Sequence, residues 1–210
     1  MSEDRYCKAC FQPIRTKPIR SLIEKEPLIC EECLSKIDVR LNWRRHFGIS
    51  VLFLSSYECI LKDWLFQYKE SLDIELAPCF LYLFKPVLKL LFKNSLFIPL
   101  PSSKAKVKKR AFNHLEEMLK CSHFPYITAL EKGETEQKET TRTERYQDER
   151  TRIIVPSEEL KRKRIVLFDD VFTTGNTLKS AVEALKDIGV SHLKAVILLD
   201  NYNIETHRLK

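Results

Sequence analysis

The sequence predicts an α/β protein built on a parallel sheet, with a small four-cysteine metal module in front of it. From about residue 45 to the end of the 210-residue chain, strand-like apolar runs alternate with segments of helical apolar spacing. Before that point, two CxxC pairs lie in a stretch with many charges and little apolar material. We therefore expect a zinc ribbon at residues 1–45 and an α/β domain at residues 46–210.

Composition excludes two classes of protein. Apolar residues make up 44% of the chain, which is too many for a disordered protein. No apolar run reaches the ~18 residues of a membrane-spanning helix. The first ten residues, MSEDRYCKAC, lack the apolar segment of a secretion signal. These features favour a cytoplasmic location.

Positive charge is concentrated in two runs. The formal net charge is +7, and basic residues fill five of the seven positions in KAKVKKR and all four positions in KRKR. Such runs are often solvated faces, but they also suit polyanions such as a nucleic-acid backbone. The candidate DNA-binding residues in the first run are Lys104, Lys106, Lys108, Lys109 and Arg110.

The first four cysteines have the spacing of a zinc site. Cys7, Cys10, Cys30 and Cys33 form C-x2-C-x19-C-x2-C, in which each pair can hold the metal from a tight turn. The alternatives are two disulfides or four unrelated thiols. The expected cytoplasmic location argues against disulfides, because that compartment keeps thiols reduced. With all four ligands supplied by the protein, the zinc would be structural. The other three cysteines are expected to be small core residues.

Periodicity assigns the elements of the larger domain in order. The expected strands cover residues 48–57, 96–101, 126–130, 165–170 and 192–199. The expected helices cover residues 58–68, 76–92 with a kink near Pro86, 111–120 and 178–188, the last ended by Gly189. The polar tract at residues 131–152 has no periodic apolar face and is expected to be a long loop, typical of a functional lid or a link.

The stretch IVLFDDVFTTGNT combines an apolar strand, two acids and a hydroxyl-rich loop. Loop amides and hydroxyls before a helix N-terminus can hold a phosphate, and a glycine permits close backbone approach. Asp169 and Asp170 can accept hydrogen bonds from ribose hydroxyls at the strand end. An ordinary capped turn explains a threonine there but not the paired acids. The phosphate-binding residues would be Thr173, Thr174, Gly175, Asn176 and Thr177.

This stretch resembles the phosphoribosyl pyrophosphate (PRPP) loop of type I phosphoribosyltransferases. The resemblance implies a Rossmann-like parallel sheet, Asp169 and Asp170 on the ribose and the following loop on the 5-phosphate. It also implies Mg²⁺ bound with PRPP, and a flexible lid formed by residues 131–152 in which Arg142 or Arg145 contacts pyrophosphate. The pyrophosphate loop would lie at Ser102, Ser103 and Lys104.

The chain as a whole resembles the ComF family of competence proteins. A four-cysteine ribbon precedes the phosphoribosyltransferase-like part, and PLPSSKAKVKKRAFNHLEEM is similar to that family's stretch ending in RGFN. Here Ala111 stands in place of the glycine. The resemblance implies a role in natural transformation, in which single-stranded DNA is handled in the cytoplasm beside a competence helicase.

Two functions fit these features. The first is a DNA-handling competence protein that retains a PRPP site, whether as a sensor, a regulatory site or an enzyme of unknown acceptor. The second is a metabolic phosphoribosyltransferase for a nucleobase, for which the sequence shows no evident base pocket. The zinc ribbon and the clustered basic residues favour the first function. If catalysis occurs, the carboxylates of Asp169 and Asp170 would stabilise an oxocarbenium-like transition state.

Overall fold

The structure, a computed structural model, describes residues 5–14, 27–133 and 151–201. Its strands in chain order are β1 (Val39–His46), β2 (Ile49–Ser56), β3 (Ser95–Pro99), β4 (Leu130–Lys132), β5 (Thr151–Ile153), β6 (Arg164–Phe172) and β7 (Leu193–Asp200). Its α-helices are α1 (Glu31–Ser35), α2 (Ile60–Glu70), α3 (Ala77–Tyr82), α4 (Lys85–Leu91), α5 (Lys104–Arg110), α6 (His114–Cys121), α7 (Ser157–Lys161) and α8 (Asn176–Asp187). A short 3₁₀ helix, Ile74–Leu76, precedes α3.

The central sheet has five strands in the order β1-β2-β7-β6-β3. The pairs β2–β7, β6–β7 and β3–β6 are parallel, as expected, whereas β1 pairs antiparallel with β2. The predicted parallel sheet is confirmed for three of its four strand pairs, and β1 adds an antiparallel strand at one edge. Phe47 and Gly48, both with positive φ (53° and 77°), form the two-residue turn that makes β1 and β2 a hairpin. Because β1 begins at Val39, the boundary expected between residues 45 and 46 falls within this strand.

The core lies on both faces of the central strands. The inner residues of β6 and β7 are almost all buried, as expected for parallel strands covered by helices. The apolar face predicted for the last helix is confirmed, because α8 buries Leu178, Ala181, Val182 and Leu185. Gly189 follows this helix with a φ of 90°, which a residue without a side chain adopts readily.

Two predicted segments differ from the structure for local reasons. The helix expected at residues 76–92 is divided into α3 and α4, because Pro86 lies in the first turn of α4, where its missing N–H is tolerated. The loop predicted at Ser102, Ser103 and Lys104 is shorter than expected, because Lys104 already begins the helix α5. The Ser103 hydroxyl caps this helix at 3.4 Å from the Lys106 nitrogen.

The polar tract at residues 131–152 has strand structure at both ends. Instead of a strand over residues 126–130, the structure has a single bridge between Tyr126 and Phe97 and then β4, which pairs antiparallel with β5. Residues 134–150, with the candidate pyrophosphate contacts Arg142 and Arg145, lie outside the described residues. Across the described ranges, no helix has both the length and the apolar content needed to cross a membrane.

Candidate functional site

The two acids lie inside β6 rather than at its end. The strand continues through Val171 to Phe172, and Asp169 pairs with Ile197 of β7. Asp169 is partly buried, and Asp170 is only 5% exposed. The expectation that the two acids lie at the end of the strand is therefore wrong, and their side chains start from opposite faces of it. Their joint binding of one ligand stays a prediction.

Two basic side chains from helices lie against the Asp170 carboxylate. The Lys69 ammonium, at the end of α2, forms an ion pair with its Oδ2 atom, and Nε2 of His114, at the start of α6, lies 3.0 Å from the same oxygen. His114 is itself only 4% exposed, and the Tyr68 hydroxyl donates to its carbonyl oxygen at 3.0 Å. These contacts join α2, α6 and β6 at the residue that follows Asp169.

The environment shifts the pKa values of the two aspartates in opposite directions. Burial, followed by the charge of Asp170, raises the pKa of Asp169 well above its usual value. Burial also acts to raise the pKa of Asp170, but the Lys69 ammonium and the His114 hydrogen bond outweigh it and the pKa is lowered. The environment therefore favours the charged form of Asp170 and the protonated form of Asp169.

The predicted phosphate loop connects β6 to α8. Thr173, Thr174 and Asn176 are exposed, and the Asn176 N–H lies 3.5 Å from Oγ1 of Thr174. Gly175 has a φ of 74°, and a Cβ there would lie 2.7 Å from the Phe172 ring. The glycine is therefore required by the turn and by its packing on Phe172, in addition to any ligand. The loop presents hydroxyls and amides at the N-terminus of a 12-residue helix, an arrangement that favours anions.

The predicted pyrophosphate loop follows β3, the neighbour of β6. The Leu100 N–H donates to the Phe168 carbonyl at 2.8 Å, so Ser102 and Ser103 leave the same edge of the sheet as the two aspartates. A cavity of about 320 Å³ opens beside this loop. The Lys104 ammonium at its rim lies 3.0 Å from a carboxylate oxygen of Glu131. This edge therefore holds both halves of the predicted site.

Acidic partners reduce the positive potential of α5. Besides the contact between Lys104 and Glu131, Lys109 and Arg110 lie 3.3 and 3.5 Å from the carboxylate of Glu70. Lys106 and Lys108 have no acidic partner within the described ranges. The DNA-binding role of this run stays a prediction, with two of its five cations unneutralised.

The four predicted zinc ligands converge. The sulfur atoms of Cys7, Cys10, Cys30 and Cys33 all lie within 4.8 Å of one another, and those of Cys10 and Cys30 are 3.6 Å apart. A tetrahedral zinc with Zn–S bonds of about 2.3 Å needs sulfurs about 3.8 Å apart, so the cluster fits a metal ion of that kind. Of the remaining cysteines, Cys79 is buried as expected, whereas Cys59 and Cys121 are only partly buried.

The thiols of the cluster differ in pKa. Burial raises the pKa of Cys7, but hydrogen bonds from the backbone of Cys30, Cys10 and Ala9 outweigh it and bring the pKa down to about 7. Burial and the neighbouring thiols raise the pKa of Cys33, and burial raises that of Cys10. A positive ion at the centre of the four sulfurs would favour all four thiolates.

Sequence reasoning missed Lys69 and His114 as parts of the site. Each is a single residue in an amphipathic helix, and neither belongs to a metal or nucleophile motif. The available signal was positional, since Lys69 lies in the last turn of α2 and His114 is the first residue of α6. Their convergence on Asp170 depends on how α2 and α6 pack against the sheet.

Comparison with known proteins finds a family that matches part of this site. The family described as phosphoribosyl transferase domain matches residues 115–208, which include β6, the threonine-rich loop and α8. This match confirms the expected phosphoribosyltransferase-like fold class. The competence protein ComFC of Streptococcus pneumoniae is 28% identical over 200 residues, covering 92% of this chain and 85% of ComFC.

Solved structures of phosphoribosyltransferases are more distant. A hypoxanthine phosphoribosyltransferase from Staphylococcus aureus is 17% identical with a TM-score of 0.40, over 63% of this chain and 69% of the enzyme. A purine phosphoribosyltransferase from Pyrococcus horikoshii is 15% identical with a TM-score of 0.37, over 61% of this chain and 83% of the enzyme. The allosteric regulatory enzyme of purine biosynthesis matches 58% of this chain at 18% identity and a TM-score of 0.39, but over only 26% of its own length.

Proposed function

The chain is ComFC-like and carries a phosphoribosyltransferase domain, and from this we propose that it is a competence protein with a Mg²⁺-PRPP site. In this function it handles single-stranded DNA during natural transformation and binds PRPP at the carboxyl edge of β6. The main support for the PRPP site is that the strand containing Asp169 leads directly into the exposed threonine loop at the N-terminus of α8.

Each part of this edge has a distinct task in binding. The Asp169 carboxylate accepts hydrogen bonds from the ribose hydroxyls, and the amides and hydroxyls of residues 173–177 hold the 5-phosphate. The pairing of Asp170 with Lys69 and His114 fixes the strand segment from which Asp169 projects. The loop after β3 is positioned to hold the pyrophosphate.

Metal ions support the site and the fold in different ways. Mg²⁺ bound with PRPP would screen the charge of the pyrophosphate, for which the exposed part of Asp169 offers the oxygen ligand that this ion prefers. Zinc in the four-cysteine cluster would stabilise the N-terminal module, because all four of its ligands come from the protein.

If ribosyl transfer occurs, the carboxylate chemistry of β6 serves it. Positive charge develops on the ribose as pyrophosphate leaves, and a carboxylate at Asp169 stabilises that charge more than it stabilises the neutral ground state. The raised pKa of Asp169 then makes the reaction faster as pH rises, because only the ionised form contributes.

Calorimetric titration with Mg²⁺-PRPP tests the binding site. Asp169→Asn removes the negative charge and replaces one acceptor oxygen with an NH2 donor, so it should lower the affinity by more than tenfold while leaving the fold unchanged. Glu183→Gln is the matched control, since it also removes one charge, lies on the exposed side of α8 and should leave the affinity as it is. Equal affinities of wild type and Asp169→Asn would remove the ribose site from β6.

A second measurement separates the competence protein from a metabolic enzyme. Labelled single-stranded DNA is titrated with the protein, and PRPP turnover is followed beside it with a panel of nucleobases. The proposed function requires DNA binding. Turnover of one base with no affinity for DNA would identify a nucleobase phosphoribosyltransferase in its place.

A further inference from the structure

A second cavity opens at the amino edge of the central sheet, opposite the candidate PRPP site. It has a volume of about 400 Å³ and lies where β3, β6 and β7 begin, beneath the end of α4. The polar side chains that line it are those of Lys93, Ser95, Arg164, Ser191, His192 and Lys194.

All the ionisable side chains that line this amino-edge cavity are basic. Lys93, Arg164 and Lys194 are exposed cations, and His192 is a fourth group that can become positive. None of the lining residues is acidic, and no ion pair joins these four side chains to another residue within the described ranges. In this respect the cavity differs from α5, where three of the five cations face a glutamate. An unneutralised group of this kind attracts polyanions.

An exposed aromatic ring accompanies these cations. Trp43, on β1, is 41% exposed, and the Lys194 ammonium lies 5.5 Å from the centre of its ring. The Phe92 ring, which also lines the cavity, lies 6.1 Å from the Trp43 ring and supports it from below. A large aromatic surface next to cations is the arrangement on which unpaired bases stack while their phosphates are neutralised.

We infer that the amino-edge cavity and Trp43 bind single-stranded DNA, with Lys93, Arg164 and Lys194 on the phosphates and Trp43 stacked on a base. This inference rests on the proposed function and names the surface that performs it. A duplex would present paired, inaccessible bases to Trp43, so the chemistry selects single strands.

The DNA surface and the PRPP site lie at opposite ends of the same strand. Arg164 opens β6 and Asp170 is six residues further along, which at about 3.3 Å per residue places them about 20 Å apart. One protein molecule can therefore bind both ligands, and PRPP should not displace DNA. DNA bound to the basic run on α5 would instead lie next to PRPP, because α5 directly follows the predicted pyrophosphate loop.

Two charge-matched triple variants test the assignment. Lys93→Ala/Arg164→Ala/Lys194→Ala alters the cavity, and Lys106→Ala/Lys108→Ala/Lys109→Ala removes the same charge from α5. All six side chains are exposed: three lie on the helix α5, Lys93 lies in a turn, and Arg164 and Lys194 lie near the beginnings of strands. Both variants should therefore fold. Fluorescence anisotropy of a labelled oligo(dT) is measured with each protein across a salt series.

The cavity variant should lose most of its affinity, and its log–log salt slope should flatten by about two, since each phosphate contact on a single strand contributes about 0.7. The α5 variant should keep a slope close to that of the wild type. A loss in the α5 variant alone would overturn the inference and place DNA on α5. A wild-type protein with no affinity for oligo(dT) would overturn the proposed DNA function itself.

Trp43 provides an independent readout. Trp43→Leu should weaken oligo(dT) binding about tenfold through the lost stacking, whereas Trp43→Phe should retain most of the affinity. In the wild type, oligo(dT) should quench tryptophan fluorescence, because the second tryptophan, Trp64, is buried and unaffected. Saturating Mg²⁺-PRPP should leave the oligo(dT) affinity unchanged. Equal binding by the Leu and Phe variants, or competition by PRPP, would contradict the assigned surface.

Discussion

Nε2 of His114 lies 3.0 Å from Oδ2 of Asp170, so that a buried histidine of α6 and a buried carboxylate of β6 form one contact. The Lys69 ammonium of α2 completes the group on the same oxygen. Both Asp170 and His114 are less than a tenth exposed, which makes the contact sensitive to the loss of any one partner. The candidate PRPP site is therefore built on a structural ion pair and not only on ligand-binding residues.

Asp170→Asn should destabilise the protein by roughly 3 kcal/mol. The amide cannot neutralise Lys69, and leaving one member of a buried ion pair without its partner is costly. Urea unfolding followed by circular dichroism measures the change. Asp169→Asn is the matched control, and it should leave stability unchanged or raise it, because the folded protein disfavours the charge of Asp169. Similar losses in the two variants would contradict the different roles assigned to them.

Stability should fall as the pH falls below about 6.5, with His114 as a main cause. Burial lowers the pKa of His114, and this exceeds the opposing effect of Asp170, so the unfolded chain binds the proton more tightly than the folded one. The lowered pKa of Asp170 adds a further loss only below about pH 4. Unfolding free energies of wild type and His114→Gln at pH 5 to 7.5 measure this dependence.

A second histidine, His46, contributes separately to this pH dependence. Its pKa is also lowered, first by burial and then by Arg44, so His46→Gln should remove a separate share of the slope. If His114→Gln keeps the full slope of the wild type, the proton is taken up elsewhere and the neutral form of His114 is not what the fold requires.

Purified protein that has never met a chelator should contain one zinc ion per chain. Because the pKa values of Cys10 and Cys33 are raised, these thiols are protonated at neutral pH without metal, and zinc binding must release their protons. Zinc affinity should therefore increase with pH, and calorimetry in buffers of different ionisation enthalpy should show the proton release. Cys30→Ser should lose the metal, whereas Cys121→Ser should retain it. A metal-free wild type would refute the site.

Ala111→Gly should stabilise the protein by about 1 kcal/mol. Ala111 ends α5 with a φ of 64°, a left-handed conformation that is unfavourable for a residue with a Cβ and free for glycine. Ala184→Gly, in the interior of α8, is the control and should destabilise by about 1 kcal/mol. Thermal unfolding compares the two variants with the wild type. Destabilisation by both substitutions would show that the end of α5 does not need the left-handed conformation.

The sequence by itself determined the parts of this protein that depend on neighbours along the chain. The alternation of apolar runs predicted the strands and the face of α8, because burial imposes a period of two or 3.6 residues. The CxxC spacing predicted the cysteine cluster, and the order of acids, threonines and glycine predicted a loop at a helix N-terminus. Even the departure from glycine at Ala111 marked a backbone position that the structure shows to be left-handed.

Tertiary packing alone decided which of these residues share an environment. Lys69, His114 and Asp170 are far apart in the sequence, and only the packing of α2 and α6 against β6 gives Asp170 its partners and leaves Asp169 for a ligand. In the same way, Lys93 of the turn after α4 meets Arg164 of β6 and Lys194 of β7 at the amino edge of the sheet. Three of the five cations in the denser run on α5 are instead paired with acids from β4 and α2. Charge density along a chain does not determine surface potential, since the potential depends on which opposite charges the fold brings within a few ångströms.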